Sequence, residues 1–407
     1  MQYGPLYGEK SAPQEWEDTI APFIISLGFV RAKNDPCIFY HPITGMIVLL
    51  YVDDIYMDGK PNDVNDFHMK LTKRFECKAI QILKVKEPLD YLGTEISMKD
   101  ESTITLTMAN YTKKMVEFMG LEGDHHSHRP VDYPFRMNID QDDDEEDLTS
   151  QERTTFMTGL GMLGWLVSCI RADLAYTYSM IASSMARPTK RSMRQLIWAT
   201  RYLKGTSTLG GVTSKHMNQG DTMWRHFCDS DQGRDQSMEN KGRARCGQIS
   251  LANGFPVFFK SKAISVAMAH PKIKNGHADV SSGACEIYGA AQATFNILFL
   301  NYCSEEMGVE FNLPFILEMD NKAAEVFVND TAMNTKMRHI DQRQHWVQTI
   351  RDSRIVKAKH VSTTHNLADI FTKPLQGPTF KTLRDSILHD CTEICLQGGI
   401  KMLNIKK

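Results

Sequence analysis

The sequence predicts an α/β protein built from more than one domain, and three observations lead to this prediction. A chain of 407 residues is long enough for two or three domains. Near its start, an apolar run typical of a buried strand ends in two adjacent aspartates. From 223 to 375 the patterns follow the order strand, hairpin, helix, strand, helix, helix, strand and helix, which is a mixed α/β layout. Residues 151–222 between these units carry helical patterns.

The composition limits the classes of function and location. The formal net charge is -2, so any contact with nucleic acid has to come from local basic patches. No apolar run approaches the roughly 18 residues of a membrane span, and the first residues lack the apolar core of a signal peptide. The 9 cysteines include no CxxC pair. We therefore expect reduced thiols and a cytoplasmic or nuclear location.

The first unit is organised around Asp53 and Asp54. An apolar run over 46–52 leads into these two carboxylates, and apolar residues resume at Ile55. This pattern predicts a buried strand and then a hairpin tip, where the carboxylates stay near water. An ordinary Asp-Asp turn is the alternative interpretation, because aspartate is common in turns.

Short elements surround this strand. An amphipathic helix is predicted before Gly28, which ends it. A short strand over 37–40 and a turn over 41–45 follow, and a second helix is predicted over 64–75.

Several blocks in the first half of the chain resemble the copia-type retrotransposon Pol polyprotein. They occur in the family's order as LYGEKSAPQEW (6–16), SLGF (26–29), NDPCIF (34–39), YVDD (51–54), YLGTEI (91–96) and RYLKGT (201–206). In that family YVDD is the active-site hairpin of a reverse transcriptase, whose two carboxylates face divalent metal. The resemblance implies the C-terminal half of a reverse transcriptase palm over 1–120, a helical thumb or connection over 151–222, and metal-binding roles for Asp53 and Asp54.

Residues 121–150 predict a surface loop and an acidic linker. His125, His126 and His128 stand beside an acidic run over 140–147. A metal site formed by these histidines is the alternative interpretation.

One local patch is basic enough to bind phosphate. Between 187 and 204 there are six basic residues and no acidic ones. A solvated helix face explains the same pattern equally well. The six residues are Arg187, Lys190, Arg191, Arg194, Arg201 and Lys204.

Four carboxylates stand out in the unit over 223–375. Asp229 and Asp320 lie at the ends of predicted strands, while Glu286 and Asp369 lie on predicted helices. This placement can gather oxygen donors, which Mg²⁺ prefers. Two such ions about 4 Å apart can activate a water molecule and stabilise the leaving oxygen at a phosphodiester. Each acid taken alone is compatible with an ordinary surface position.

The blocks around these carboxylates resemble the RNase H domain of copia-type elements. They are CDSD (228–231), SSGACEIYG (281–289), EMDNKAA (318–324), RHIDQRQHW (338–346) and NLADIFTKPL (366–375). The resemblance implies that Asp229, Glu286, Asp320 and Asp369 hold Mg²⁺ or Mn²⁺. It also implies that His360, with His365 as the alternative, is a mobile histidine that helps product leave.

Three features depart from the family pattern. Ala284 stands where the family has a glutamate, and Gln232 stands where it usually has a tryptophan. The segment between Lys262 and Ser281 is about ten residues longer than usual, which indicates either a surface loop, since such insertions are tolerated thermodynamically, or a decaying or misassembled reading frame.

These observations predict a fragment of a copia-type Pol protein: an incomplete palm with a helical connection, an RNase H-like domain over 223–375 and a loosely ordered tail over 376–407. In this family the third polymerase carboxylate lies upstream of the LYG block, so we expect an incomplete polymerase site. The expected reaction is metal-dependent hydrolysis of RNA in RNA·DNA hybrids.

The expected partners are RNA·DNA hybrid, single-stranded nucleic acid and the rest of the Pol polyprotein, with no membrane. The main alternative is a catalytically inert remnant that at most binds nucleic acid through 187–204. An integrase with the same fold is a third interpretation, which the YVDD and LADIFTKPL blocks oppose.

Overall fold

A computed structural model of the chain describes residues 12–136, 146–214, 224–231, 244–264, 282–309, 311–330 and 342–392. Some sequence predictions lie outside these ranges: residues 6–11 of the first block, most of the acidic run, Gln232, the insertion from 265 onward, Ser281, the first four residues of RHIDQRQHW, and 393–407. Within the described ranges, no helix has the length and apolar character needed to cross a membrane.

The N-terminal unit packs two helices on a four-stranded antiparallel sheet of order β1-β2-β3-β4. Its elements are α1 (Ala12–Ser26), β1 (Val30–Arg31), β2 (Ile38–Tyr40), β3 (Ile47–Tyr51), β4 (Asp54–Asp58) and α2 (Pro61–Thr72). The unit has its own apolar core, which includes Ile20, Phe39, Val48 and Phe67. Gly28 follows α1 with φ +98, a conformation that favours glycine, so the predicted helix stop is confirmed.

A second group of strands and helices follows. It comprises β5 (Leu89–Tyr91), β6 (Thr94–Asp100), β7 (Thr103–Thr107), α3 (Ala109–Phe118), α4 (Ser150–Cys169), α5 (Ala175–Ala182), α6 (Lys190–Gly205) and β8 (Leu209–Ser214). The helix α4 begins with a capping box, in which Thr149 and Glu152 satisfy each other's backbone N–H groups. The predicted helical region is therefore present.

The third group forms a mixed five-stranded sheet of order β11-β10-β9-β12-β13. Its strands are β9 (Trp224–Asp231), β10 (Ala244–Ala252), β11 (Phe255–Ile264), β12 (Phe315–Met319) and β13 (Val356–His360). The strand β10 is antiparallel to both β9 and β11, while β12 is parallel to β9 and β13. The other elements are α7 (Ser282–Glu306), α8 (Lys322–Asn329), α9 (Gln342–Asp352), α10 (Gly377–Asp385) and β14 (His389–Asp390). This arrangement confirms the predicted mixed α/β fold with an RNase H-like sheet.

The hairpin predicted within 223–375 is present, and Asn253 and Gly254 form its turn between β10 and β11. Asn253 has φ 48 and Gly254 has φ 78, as a two-residue type I′ turn requires. This hairpin supplies the two strands on one side of β9.

The sheet of order β14-β8-β7-β6-β5 joins parts of the chain that the sequence analysis kept apart. The strand β8, from the predicted helical region, pairs antiparallel with β7, from the predicted palm. The strand β14, from the predicted tail, adds to β8. The physical reason is that strand pairing satisfies backbone hydrogen bonds across any sequence separation, which local patterns do not reveal.

The prediction of a loosely ordered tail is wrong for residues 376–392. The helix α10 packs Phe380 and Leu383 into the main apolar core, and Leu388 is also buried there. These apolar residues recur at helical spacing, but over only two or three turns, too few to stand out in the sequence.

Further details of the third group concern the surroundings of the carboxylates. Phe295 and Phe299 of α7 are 62% and 39% exposed, because the helix turns its smaller residues to the sheet. The predicted helix over 366–372 is a 3₁₀ turn, Leu367–Phe371. Asp229 lies inside β9 and does not end it, since the strand continues to Asp231.

The central strand β9 is buried on both faces. Phe227 belongs to the core that contains Leu163, Tyr202 and Phe371 from the helices and the 3₁₀ turn. The next residue, Cys228, belongs to the core on the other side of the sheet, formed with α7, α8 and α9. Alternate residues of a strand point to opposite faces, so β9 links the two cores.

A buried ion pair lies within the helical region. Arg171 and Asp173 are both 1% exposed, and the guanidinium donates to both carboxylate oxygens at 3.0 and 2.8 Å. Tyr202 donates its hydroxyl to Asp173 at 2.6 Å, and Arg171 also donates to the Thr206 carbonyl at 3.0 Å. The charges are therefore paired and hydrogen-bonded, as burial of charge requires.

We expect Asp173→Asn to lower the free energy of unfolding by about 3–5 kcal/mol, because it leaves the Arg171 charge buried without its counter-ion. Urea unfolding followed by circular dichroism measures this. The matched control is Asp147→Asn, which removes an exposed ion pair with Arg187 at 2.8 Å and should change stability very little. Equal effects of the two substitutions would contradict the assigned importance of the buried pair.

Candidate metal centre

Asp229 and Asp320 are brought together by the pairing of two parallel strands. Glu318 of β12 lies opposite Phe227 of β9, so two residues further along each strand Asp320 lies beside Asp229. An ion pair between Arg225 and Glu318, with Nε–Oε1 at 2.9 Å, joins the same two strands. The register of the sheet therefore sets the distance between the two carboxylates.

Asp369 reaches the same place because β10 carries a glycine opposite Asp229. A Cβ atom on Gly247 would lie 2.7 Å from the Phe371 Cβ and 2.8 Å from the Ala368 carbonyl oxygen. The absence of a side chain lets the 3₁₀ turn lie directly on the sheet. Asn366 holds the start of this turn by donating to the Cys228 carbonyl at 3.1 Å.

Glu286 approaches from the other side of the sheet on α7. Gly289, one turn later, packs so closely that an added Cβ would collide with Ser230 Oγ of β9. The helix therefore lies near the sheet at the level of Asp229, and Glu286 is only 6% exposed.

The outcome is a tight group of carboxylates. One oxygen from each of Asp229, Asp320 and Asp369 lies within 4.8 Å of the others. Lys373 contacts two of these acids, with Nζ 2.8 Å from Asp369 Oδ1 and 3.3 Å from Asp229 Oδ2. Of the four carboxylates predicted to share one site, the structure brings these three aspartates within that distance of one another, and Glu286 lies outside this group.

The electrostatics reflect burial and mutual repulsion. Burial, and then the charges of Asp229 and Asp320, raise the pKa of Glu286 to about 9. Burial followed by Asp229 raises the pKa of Asp369 to about 7. Burial lowers the pKa of Lys373, but Asp229 and Asp369 outweigh it, so that this pKa is raised overall.

The residues fit a hard divalent cation. The four carboxylates offer only oxygen donors, which suit Mg²⁺ and Mn²⁺. Within the part of the chain that the structure describes, Glu286 Oε2 is buried and has no hydrogen-bond partner. An orphaned carboxylate oxygen beside three other acids is costly unless a cation is bound nearby.

The hairpin with Asp53 and Asp54 has the predicted form. Tyr51 pairs with Asp54, so Val52 and Asp53 form the tip. Val52 has φ 54, which is strained for a β-branched residue, and Trp16 Nε1 donates to its carbonyl.

In the part of the chain that the structure describes, the two hairpin carboxylates lie outside the group formed by Asp229, Asp320 and Asp369. Burial raises the pKa of Asp54, and Asp53 and Asp90 add to the effect. Within the described ranges, neither Asp53 nor Asp54 belongs to a group of three ligands at metal-binding distance.

The histidines have different surroundings. His360 is exposed at the end of β13, opposite Met319, the residue before Asp320. His365 shares hydrogen bonds with Ser362 at 2.6 Å and Thr364 at 3.2 Å. The structure thus places His360 on the strand beside the one that leads to Asp320.

In the loop, His125 and His126 are exposed and His128 is partly buried. They border a short 3₁₀ turn, His126–His128. His128 Nδ1 contacts the Glu122 carbonyl at 2.9 Å. The three histidines form no metal-binding group among the residues that the structure describes.

Basic residues of the predicted phosphate-binding patch have partners within the chain. Arg187 pairs with Asp147 at 2.8 Å and Lys190 pairs with Glu152 at 2.7 Å.

Further along α6, Lys204 donates to the Leu121, Gly123 and His128 carbonyls at 2.6–3.2 Å. Arg201 donates to the Arg129 carbonyl and lies over the Trp198 ring. Arg191 and Arg194 lie on the same helix. Binding of nucleic acid by this patch stays a prediction.

Two neighbours of the carboxylates, Thr372 and Lys373, have no predicted role in the sequence. Thr372 donates its hydroxyl to Asp229, and Lys373 pairs with Asp229 and Asp369. The available signal was the block NLADIFTKPL, which contains both residues next to Asp369.

We expect Gly247→Ala to lower the free energy of unfolding by about 1–3 kcal/mol, because the added methyl group displaces the 3₁₀ turn from the sheet. Chemical denaturation measures the loss. The matched control is Gly161→Ala in α4, where an added Cβ meets nothing within 4 Å. That control should be neutral or stabilising, because alanine favours a helix. A stable Gly247→Ala chain would contradict the close contact.

We expect Glu286→Gln to stabilise the metal-free chain in a pH-dependent manner. A carboxyl with a raised folded-state pKa contributes stability below its unfolded pKa and loses it as pH rises toward the folded value. The glutamine variant lacks this loss. The difference in free energy of unfolding between the variant and the natural chain should therefore grow, in favour of the variant, by more than about 2 kcal/mol between about pH 5 and pH 7. Urea unfolding in EDTA tests this, and a pH-independent difference would refute it.

Comparison with known proteins agrees with this architecture. Residues 4–132 match the family described as reverse transcriptase (RNA-dependent DNA polymerase). The Pol polyprotein of transposon TNT 1-94 from Nicotiana tabacum is 22% identical over 399 residues, covering 94% of this chain and 27% of the relative. That of transposon RE1 from Arabidopsis thaliana is 25% identical over 389 residues, covering 94% and 24%. The chain thus spans about a quarter of the length of these relatives.

Solved structures similar to this chain include two RNases H1. One, LC11-RNase H1 isolated from compost, is 12% identical and covers 37% of this chain and 91% of its own, with a TM-score of 0.26. The other, from Halobacterium salinarum, is 11% identical and covers 42% and 97%, with a TM-score of 0.23. These similarities are low, so the fold assignment depends on the strand order given above.

Reverse transcriptases and RNase H-like enzymes generally depend on divalent metal ions. The carboxylate group fits that dependence. Over 94% of its length the chain is similar to retrovirus-related Pol polyproteins of plant transposons, and the order of its sequence blocks agrees with this similarity.

Proposed function

We propose that this chain hydrolyses the RNA strand of RNA·DNA hybrids, as the RNase H part of a copia-type Pol polyprotein. One observation carries the proposal: Asp229, Asp320 and Asp369 each place an oxygen within 4.8 Å of the others. Glu286, buried beside them, provides a fourth carboxylate. Nucleases that cleave phosphodiesters use such oxygen-donor sets to hold two divalent ions.

Asp229, Glu286, Asp320 and Asp369 would hold the ions, with Mg²⁺ as the proposed metal and Mn²⁺ as a substitute. When bound, the ions would activate the attacking water and stabilise the leaving oxygen of the scissile phosphodiester. Thr372 supports this site by hydrogen bonding to Asp229, which restricts the rotation of its carboxylate. In the metal-free chain the raised pKa of Glu286 keeps a proton on its carboxyl at neutral pH.

His360 is the proposed product-release residue. It is exposed at the end of β13, the strand that pairs with β12 just before Asp320. An exposed imidazole near the carboxylates can exchange protons with product and solvent. His365, the alternative, is engaged with Ser362 and Thr364.

Other roles belong to the longer polyprotein. We infer that Asp53 and Asp54 are metal ligands of an RNA-directed DNA polymerase site. The six basic residues over 187–204 would contact hybrid or single-stranded nucleic acid. Those that have partners within the chain would first release them. The solved LC11-RNase H1 complex holds an RNA/DNA hybrid, the substrate proposed for this chain. A cytoplasmic or nuclear location remains our prediction.

We expect the purified chain to cleave the RNA strand of a labelled hybrid in Mg²⁺, and Asp320→Asn and Glu286→Gln to lower the rate at least about 100-fold, because each removes a ligand charge. Denaturing gels of the labelled RNA give the rates. The matched controls, Asp352→Asn and Glu305→Gln, alter exposed acids of the same domain and should keep the natural rate.

Two results of the cleavage assay would contradict the proposal. No cleavage by natural chain that circular dichroism shows to be folded would favour the catalytically inert remnant. Cleavage that persists in both ligand variants would contradict the assigned residues.

A further inference from the structure

We propose that Lys373 is a built-in counter-ion of the carboxylate group, which competes with the divalent metal for Asp229 and Asp369. In the metal-free chain its ammonium holds the acids together, and metal binding displaces it. The inference rests on the proposed function for the identity of the metal site. It adds a positioning residue that controls how tightly the ions bind.

The competition follows from the distances. Lys373 Nζ lies 2.8 Å from Asp369 Oδ1 and 3.3 Å from Asp229 Oδ2. A Mg²⁺ ion binds carboxylate oxygens at about 2.1 Å. An ion between these two acids would occupy almost the same space as the ammonium, so the lysine has to move when the ion binds.

The lysine is held in this place by its backbone. Its own N–H donates to the Asp369 carbonyl at 3.2 Å, which closes the end of the 3₁₀ turn. Its carbonyl accepts from the Leu375 N–H at 2.9 Å, across Pro374. The side chain is 32% exposed. Lys373 is therefore anchored beside the acids, while the remaining exposure gives its side chain a path toward solvent.

The charges explain why a cation is needed there. Asp229, Asp320 and Asp369 are close enough to share one cation, and the charges of Asp229 and Asp320 help burial to raise the pKa of Glu286 and of Asp369. In the described part of the chain, the ion pairs to these four acids all come from Lys373. Without metal, the lysine is the positive charge that offsets their repulsion.

This arrangement predicts effects of opposite sign. Loss of the positive charge should weaken the metal-free fold, because the carboxylates repel one another without compensation. The same change should strengthen metal binding, because no cation has to be displaced. A lysine with a merely structural role would, when removed, weaken the fold and the metal site together.

The test uses Lys373→Met, which keeps the length of the side chain and removes its charge. Calorimetric titration with Mn²⁺ should show an affinity at least about tenfold higher than that of the natural chain. Thermal unfolding in EDTA should show a lower Tm, and saturating Mn²⁺ should cancel that deficit. Lys373→Arg keeps the charge and should show no gain in affinity.

The matched control is Lys381→Met, an exposed lysine of α10 that lies outside the site. It should change neither the Mn²⁺ affinity nor the Tm. If Lys373→Met does not fold in EDTA, Lys373→Gln provides a second neutral variant that retains hydrogen bonding.

The outcomes separate this inference from the proposed nuclease activity. Tighter Mn²⁺ binding by Lys373→Met that Asp320→Asn reverses supports the counter-ion role, even if the natural chain cleaves no hybrid. Unchanged or weaker Mn²⁺ binding by a folded neutral variant overturns it. Absence of Mn²⁺ binding by both the natural chain and the neutral variants also overturns it, because nothing then competes with the lysine.

Discussion

The constraint on which the site depends is that like charges are held together. Three carboxylates with oxygens within 4.8 Å of one another repel, so rigid structure has to keep them in place. The parallel pairing of β9 and β12 positions Asp229 and Asp320, and the missing side chain of Gly247 lets the turn with Asp369 lie on the sheet. Lys373 offsets part of the repulsion. The fold therefore holds together a group of acids whose repulsion a bound cation would reduce.

That rigidity comes from the cores on both sides of β9. The helices α4 to α6, the 3₁₀ turn and α10 share one apolar cluster with Phe227 and Ile249 of the sheet. The helical region is thus part of the packing that supports Asp229 and Asp369, and not a linker beside the domain. The buried ion pair between Arg171 and Asp173 lies in the same region. Loss of this pair should therefore disturb the packing that supports the sheet under the carboxylates.

The N-terminal unit is organised differently. Its core is separate, and its two acids lie at a hairpin tip whose Val52 is in a strained conformation. Trp16 supports the tip by donating to the Val52 carbonyl. Strain at a tip that carries two carboxylates is typical of sites that bind ligand, since the surrounding structure has to impose it. The two halves of the chain thus present acids in two ways, on a hairpin tip and across a buried sheet.

Short stretches of the sequence by themselves determined several elements of the fold and the candidate site residues. The run before Asp53 and Asp54, the Asn253–Gly254 turn and the blocks around the four acids are contiguous signals, so each could be read from a few residues. The tertiary structure alone decided that Lys373 lies between Asp229 and Asp369, that Gly247 admits the 3₁₀ turn, and that β8 and β14 complete a sheet begun by β5 to β7. These contacts join residues far apart in the chain, or depend on which atoms approach most closely. Such distances are set by the packing of the whole fold, and a pattern within one segment does not contain them.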